Sequence, residues 1–142
     1  MKEEFQDPRE VAWHPRRATD LVGHAEAEAR LLQAHQSGKL HHAWLISGPR
    51  GTGKATLAYR FAKFLLQVPS AEKARAHRTL HIAPELASFR QVAAGAHPGL
   101  LVVQRAVDQK NKRLKTEIAV DDAREAHAFF NQTAAAGGWR VG

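Results

Sequence analysis

Residues 48–54 read Gly48-Pro49-Arg50-Gly51-Thr52-Gly53-Lys54 and fill the pattern G-x-x-x-x-G-K at every fixed position through the lysine. A short apolar run, Ala43-Trp44-Leu45-Ile46-Ser47, leads into it and is expected to be a buried parallel strand. A helical pattern follows: Leu57, Phe61, Phe64 and Leu65 recur at three- and four-residue steps, and Pro69 limits the end near Gln67. Strand, glycine turn and helix in that order are the setting in which this pattern builds a phosphate-binding loop. The glycines let the backbone curl until successive N–H groups point at one spot, and the helix adds its positive end. Lys54 then reaches the β- and γ-phosphates of a nucleotide.

The expected fold class is therefore α/β, a P-loop NTPase with a three-layer arrangement around a parallel sheet. Its phosphate site consists of Gly48, Pro49, Arg50, Gly51, Thr52, Gly53, Lys54, Ala55 and Thr56. One position departs from the pattern. The residue after the lysine supplies a hydroxyl to Mg²⁺ when it is Ser or Thr, and here it is Ala55. Thr56 lies a further turn of about 100° round the helix and does not substitute for it. ATP or ADP phosphates still have a loop to bind, whereas magnesium is expected to be poorly held. The strand-borne Walker B acid that such enzymes also need does not follow the loop; its expected place is after Trp139-Arg140-Val141, where the chain stops. The domain is accordingly expected to be truncated before the Walker B strand is complete.

Composition narrows the class. With 44% hydrophobic and 25% charged residues the chain reads as a globular domain and not a disordered one. It has no cysteine, which excludes disulfides and cysteine–zinc sites and fits a reducing cytosol. The charged start, Met1-Lys2-Glu3-Glu4-Phe5, has no apolar signal region, and no apolar stretch is long enough for a bilayer. The expectation is a cytoplasmic protein with no membrane partner. A net charge of +7 favours polyanionic partners without specifying a fold.

Elsewhere, residues 1–20 hold Pro8 and Pro15 and read as an arm, followed by a partial nucleotide-binding domain over 21–142. Residues 24–36 are rich in good helix formers and end at Gly38. Residues 70–96 are ambiguous, with room for one or two short helices. Leu100-Leu101-Val102-Val103-Gln104 is a second strand candidate, and residues 105–115 form a charged loop or hairpin. Ile118-Ala119-Val120 leads into a helix that Asp122 and Glu125 would cap, running to about Ala135 before Gly137-Gly138. Trp139-Arg140-Val141 begins another strand.

The ordered series His14-Pro15-Arg16, Leu21-Val22-Gly23-His24, His42-Ala43-Trp44-Leu45, Gly48 to Lys54, His97-Pro98 and Gly137-Gly138-Trp139-Arg140-Val141 resembles the delta-prime subunit family of the bacterial DNA polymerase III clamp loader, within the AAA+ group. The match runs over nearly the whole chain. The resemblance implies a subunit of the machine that places the sliding clamp on primed DNA, acting largely as a stator with a degenerate nucleotide site. Its partners would be other clamp-loader subunits, with DNA and the clamp reached through the complex. The Leu21-Val22-Gly23 stretch resembles the region that cradles adenine in AAA+ proteins. Many relatives carry a four-cysteine zinc module after the P-loop helix; with no cysteine, this chain has no zinc there. An acid often follows the His-Pro pair, and here Gly99 does. In the AAA+ fold, residues 43–47 and 100–104 would not be direct neighbours, and a fragment would expose unpaired strand edges.

Two other classes stand beside this one. A catalytically active AAA+ ATPase of another branch would need magnesium, against which Ala55 weighs. A small P-loop kinase would need the same hydroxyl and also a lid arginine cluster, which is not evident. Nine histidines invite a metal site, but His77 and His81, four apart, have no third ligand at an obvious spacing. The basic side chains Arg105, Lys110, Lys112, Arg113 and Lys115 lack interleaved aromatics and read as a solvated hairpin more than as a DNA contact. Phe129, Phe130, Trp13 and Trp44 read as packing residues.

Overall fold

A computed structural model describes residues 6–133 and 138–142. Contacts divide the chain into two units, Pro15–His97 and the combination of Met1–His14 with Pro98–Gly142.

The first unit is helical. Helix α1, Ala25–Gln36, buries Leu31, Leu32 and His35 on one face, and Gly38 at φ +72° ends it in the left-handed conformation that favours glycine. Helix α2, Lys54–Gln67, buries Leu57, Phe61, Phe64 and Leu65, the four residues whose spacing predicts it. It stops at Val68, because a residue preceding proline is driven out of the helical region. Residues 70–96 supply two short helices, α3 over Ala71–Ala74 and α4 over Ala87–Ala93. Ser70 caps α3 by accepting the Lys73 N–H, and α4 buries Phe89 and Val92.

The core of this unit centres on Phe64, fully buried together with Leu80, His35 and Val92. The His35 and His77 rings meet Phe64 edge-on, with centroids 6.0 and 5.1 Å away. The segment after α2 is tied down by side chains that satisfy loop carbonyls. His35 Nε2 donates to Val68 O at 2.7 Å. Gln36 Nε2 donates to Ala74 O and His77 O, both at 3.0 Å. Such bonds offset the burial of backbone groups that no helix pairs.

Lys63 is the unusual core member. It is 3% exposed; its Nζ donates to Ala18 O at 3.1 Å and stands 3.9 Å from the centre of the Phe89 ring. Burial, and secondarily the Arg60 charge, lower its pKa from 10.5 to about 8. Between those two values the unfolded chain holds a proton that the folded chain has released, so stability rises with pH through this window. Lys63→Met keeps the apolar stem and removes the titration. The difference in urea midpoint between Lys63→Met and wild type is expected to favour the variant near pH 7 and to shrink steadily towards pH 10. A difference independent of pH would show that the ammonium is not held in this environment.

In the second unit, β1 (Val107–Asp108) pairs antiparallel with β2 (Arg113–Leu114), joining Val107 to Leu114 and Asp108 to Arg113. Asp108 accepts from Lys110 N, Asn111 N and Asn111 Nδ2 across the turn. Those bonds, with the Lys110 amide first, hold its carboxyl below the usual range. Arg105, Lys110, Lys112, Arg113 and Lys115 are all exposed, as expected for a solvated hairpin. Helix α5 covers Val120–Asn131.

Several expectations are corrected here. Asp122 is not the cap but the third helical residue, its carboxylate accepting the Ala119 N–H at 2.9 Å, so the helix starts one turn earlier. It ends at Asn131; Ala134, Ala135, Ala136 and Gly137 lie outside the described residues. The strand expected at 100–104 is reduced to a single parallel bridge, Leu100 with Val141, made by Leu101 N to Val141 O and Val141 N to Gly99 O, each 2.8 Å. That bridge does involve the expected start of a strand at 139–141. Residues 43–47 form no strand, and Leu45 is 93% exposed. The physical reason is that a strand exists only through a partner, and β1–β2 is the one ladder among the described residues. A three-layer parallel sheet is not formed by them. Trp13 (79% exposed) and Phe130 (53%) are surface residues, Phe129 packing instead under the Arg140 guanidinium. His77 and His81 share no helix.

Candidate phosphate-binding site

The site begins with backbone shape. Gly51 and Gly53 have φ of +82° and +89°, a region costly for any residue with a Cβ. Gly53 is also the residue on which α2 starts, and the first bond into the helix is Leu57 N–H to Gly53 O at 2.9 Å. The amides of the turn before it are the ones a helix leaves for an anion.

Lys54, the first helical residue, bends its side chain back over the loop. Its Nζ donates to Gly48 O at 2.8 Å and also to Pro49 O. Thr52 Oγ1 donates to the same Pro49 carbonyl at 2.9 Å. Two groups, through three hydrogen bonds, thus converge on the carbonyls at the loop's entry, and an ammonium is held over the loop backbone. Arg50 and Ala55 are exposed, whereas Thr56 is partly covered. Ala55 presents a methyl where a metal-binding hydroxyl would stand, so the residues present do not fit a magnesium ion on this side of the loop. Lys54 and the amides at the start of α2 are the groups present that a nucleotide phosphate would meet.

The structure brings all nine residues from Gly48 to Thr56 into one continuous loop and helix start. One further residue reaches this loop from outside the motif. His24, immediately before α1, places Nε2 in hydrogen-bond contact with Thr52 O, 28 residues away. A Cβ on Gly53 would lie 3.3 Å from His24 Nε2 and 3.9 Å from Leu21 Cδ1. No spacing signal predicts a pairing across that separation. An open concavity of about 290 Å³, lined by Gly23, His24, Glu26, Ala27 and Arg30, lies beside it. A larger concavity of about 760 Å³ belongs to the other unit, between the hairpin and the start of α5, and holds none of the loop residues.

Residues 48–54 and the start of α2 carry the sequence pattern of a P-loop. Comparison with known proteins specifies the kind: the family model described as "DNA polymerase III, delta subunit" matches residues 23–142, and the chain belongs to that family. Among its relatives, DNA polymerase III subunit delta′ of Pseudomonas aeruginosa is 36% identical over 101 residues, which are 70% of this chain and 26% of that protein. DNA polymerase III subunit gamma of Buchnera aphidicola is 40% identical over 53 residues, 37% of this chain and 15% of the relative. The tau subunit of Bacillus subtilis is 45% identical over 51 residues, 36% of this chain and 9% of the relative. The chain therefore spans about a quarter or less of the length of these relatives. No solved structure matches it significantly. Among the described residues, no helix is long and apolar enough to cross a membrane.

Proposed function

We propose that the chain is the nucleotide-binding portion of a delta-prime-like clamp-loader subunit, working in the cytoplasm within DNA polymerase III and helping to place the sliding clamp on DNA. Its partners are other clamp-loader subunits, with DNA and the clamp met through the complex. In this reading residues 21–142 are part of an AAA+ domain whose three-layer sheet takes in the 43–47 and 100–104 segments. The unpaired backbone and exposed Trp44 and Leu45 of the first segment suit a strand position in such a sheet. The carrying observation is the loop itself: Lys54 is poised over Gly48 and Pro49, while the next residue, Ala55, offers no metal ligand. Phosphate binding without magnesium-dependent turnover follows, which suits assembly more than hydrolysis.

The test is equilibrium binding of ATP and ADP, with magnesium and with EDTA, to the chain and to Lys54→Ala, with circular dichroism as the folding control. Loss of the charge-assisted bonds from Lys54 is expected to weaken binding by about 10- to 100-fold. EDTA is expected to change wild-type affinity little. Tight binding that requires magnesium would move an active AAA+ ATPase ahead. No binding by the folded chain would remove nucleotide from the proposal.

A further inference from the structure

We infer that His24 is a positioning residue for the phosphate loop, acting through the peptide between Thr52 and Gly53. The inference rests on the reading of residues 48–54 as a phosphate site, and it adds a residue outside the motif.

The argument is geometric. His24 Nε2 faces a carbonyl oxygen, Thr52 O, so this nitrogen carries the proton and donates. In a trans peptide the C=O and the following N–H point in opposite directions. Holding Thr52 O towards His24 therefore points the Gly53 N–H the opposite way, across the C–N bond and away from His24. Gly53 is in the left-handed conformation at φ +89°, a state from which the adjoining peptide can flip with little steric resistance. An external donor on the carbonyl is a direct way to choose one orientation. Thr52 and Lys54 hold the entry carbonyls of Gly48 and Pro49, but neither bonds the 52–53 peptide.

The backbone that carries the imidazole is anchored at the start of α1. His24 O accepts the Glu28 N–H at 2.9 Å, so the residue is the backbone start of α1. One turn later Glu28 accepts from Arg60 Nε on α2 at 3.0 Å. α1 is thus pinned to the helix that the loop begins, and the His24 ring packs on Gly53, as the 3.3 Å approach to a would-be Cβ records. Replacing Gly53 alone would disturb both backbone and ring, so His24 is the position to vary.

The experiment compares wild type, His24→Ala and His24→Gln, whose amide Nε2 can reproduce the lost donor. The first readout needs no ligand: the Thr52 carbonyl ¹³C and Gly53 amide ¹⁵N chemical shifts of each folded chain. His24→Ala is expected to move both and His24→Gln to restore them towards wild type. The second is affinity for inorganic pyrophosphate, expected to weaken about three- to tenfold in His24→Ala and to recover in His24→Gln. Unchanged Thr52 and Gly53 shifts in a folded His24→Ala chain would overturn the inference. So would pyrophosphate affinity equal to wild type. If wild type itself binds no pyrophosphate, the phosphate-site reading fails, while the shifts still decide whether His24 orients the peptide.

Discussion

Glu28→Ala is expected to lower the unfolding free energy by about 2–3 kcal/mol, a large share of a small domain's stability. Glu28 and Arg60 side chains are only 13% and 15% exposed, so their attraction is screened far less than that of Arg30 with Glu26 on the outer face of α1, at 74% and 82%. One oxygen, Glu28 Oε1, accepts from Arg60 Nε at 3.0 Å and from Leu80 N at 2.7 Å. It therefore joins α1, α2 and the segment leading to α4 at a single point. Removal leaves the Leu80 amide without its acceptor, beside a guanidinium whose remaining partner is Thr19 O. An unpaired buried group of this kind carries its full desolvation penalty. Glu28→Gln keeps a carbonyl oxygen for both donors and loses only the charge, so its loss should be about half. Urea unfolding of the three chains measures both. A loss below about 0.5 kcal/mol for Glu28→Ala would place this pair among weak surface ion pairs. Arg30→Ala serves as the comparison, with an expected change under about 0.5 kcal/mol.

Phe64→Ala is expected to cost about 3–5 kcal/mol, the range for truncating a large buried aromatic. The ring is 0% exposed and is bracketed by the edges of His35 and His77. Its neighbours cannot close the cavity easily. His35 is held through Nε2 to Val68 O, and the His77 backbone is held through Gln36. Phe64→Leu fills most of the volume and is expected to cost about 1–2 kcal/mol. Thermal or urea unfolding of the pair distinguishes a rigid cavity from a core that collapses; near-equal effects would mean that the histidine cage is not rigid. Nucleotide binding by the folded fraction of Phe64→Leu should match wild type, since the loop is built from the other end of α2.

The elements of this molecule differ in how far residue order alone specifies them, for physical reasons. Helices α1 and α2 were expected at 24–36 and 54–67 and occur at Ala25–Gln36 and Lys54–Gln67. A helix is a local structure: its bonds run four residues along the chain, and its buried face is written at 3.6-residue spacing. The left-handed turns at Gly51 and Gly53 and the return of Lys54 over Gly48 and Pro49 are local in the same way, all within seven residues. The start of α5 was misplaced by one turn, because Asp122 can serve either as a cap or as the residue that reaches back to one. Lys63 gave no signal at all: a lysine within an apolar helix pattern does not announce that it is buried against Phe89 and Ala18.

Local chemistry, then, determined the two long helices, the left-handed glycines and the lysine over the loop. It also placed a methyl, with no hydroxyl, at Ala55. Tertiary structure alone decided which carbonyl His24 meets, that Glu28, Arg60 and Leu80 share one oxygen, and that residues 43–47 stay without a ladder while Leu100 bridges Val141. These are pairings across tens of residues, chosen by how helices pack and which strands find partners. Residue order constrains such pairings only through the whole fold, and no local pattern encodes them.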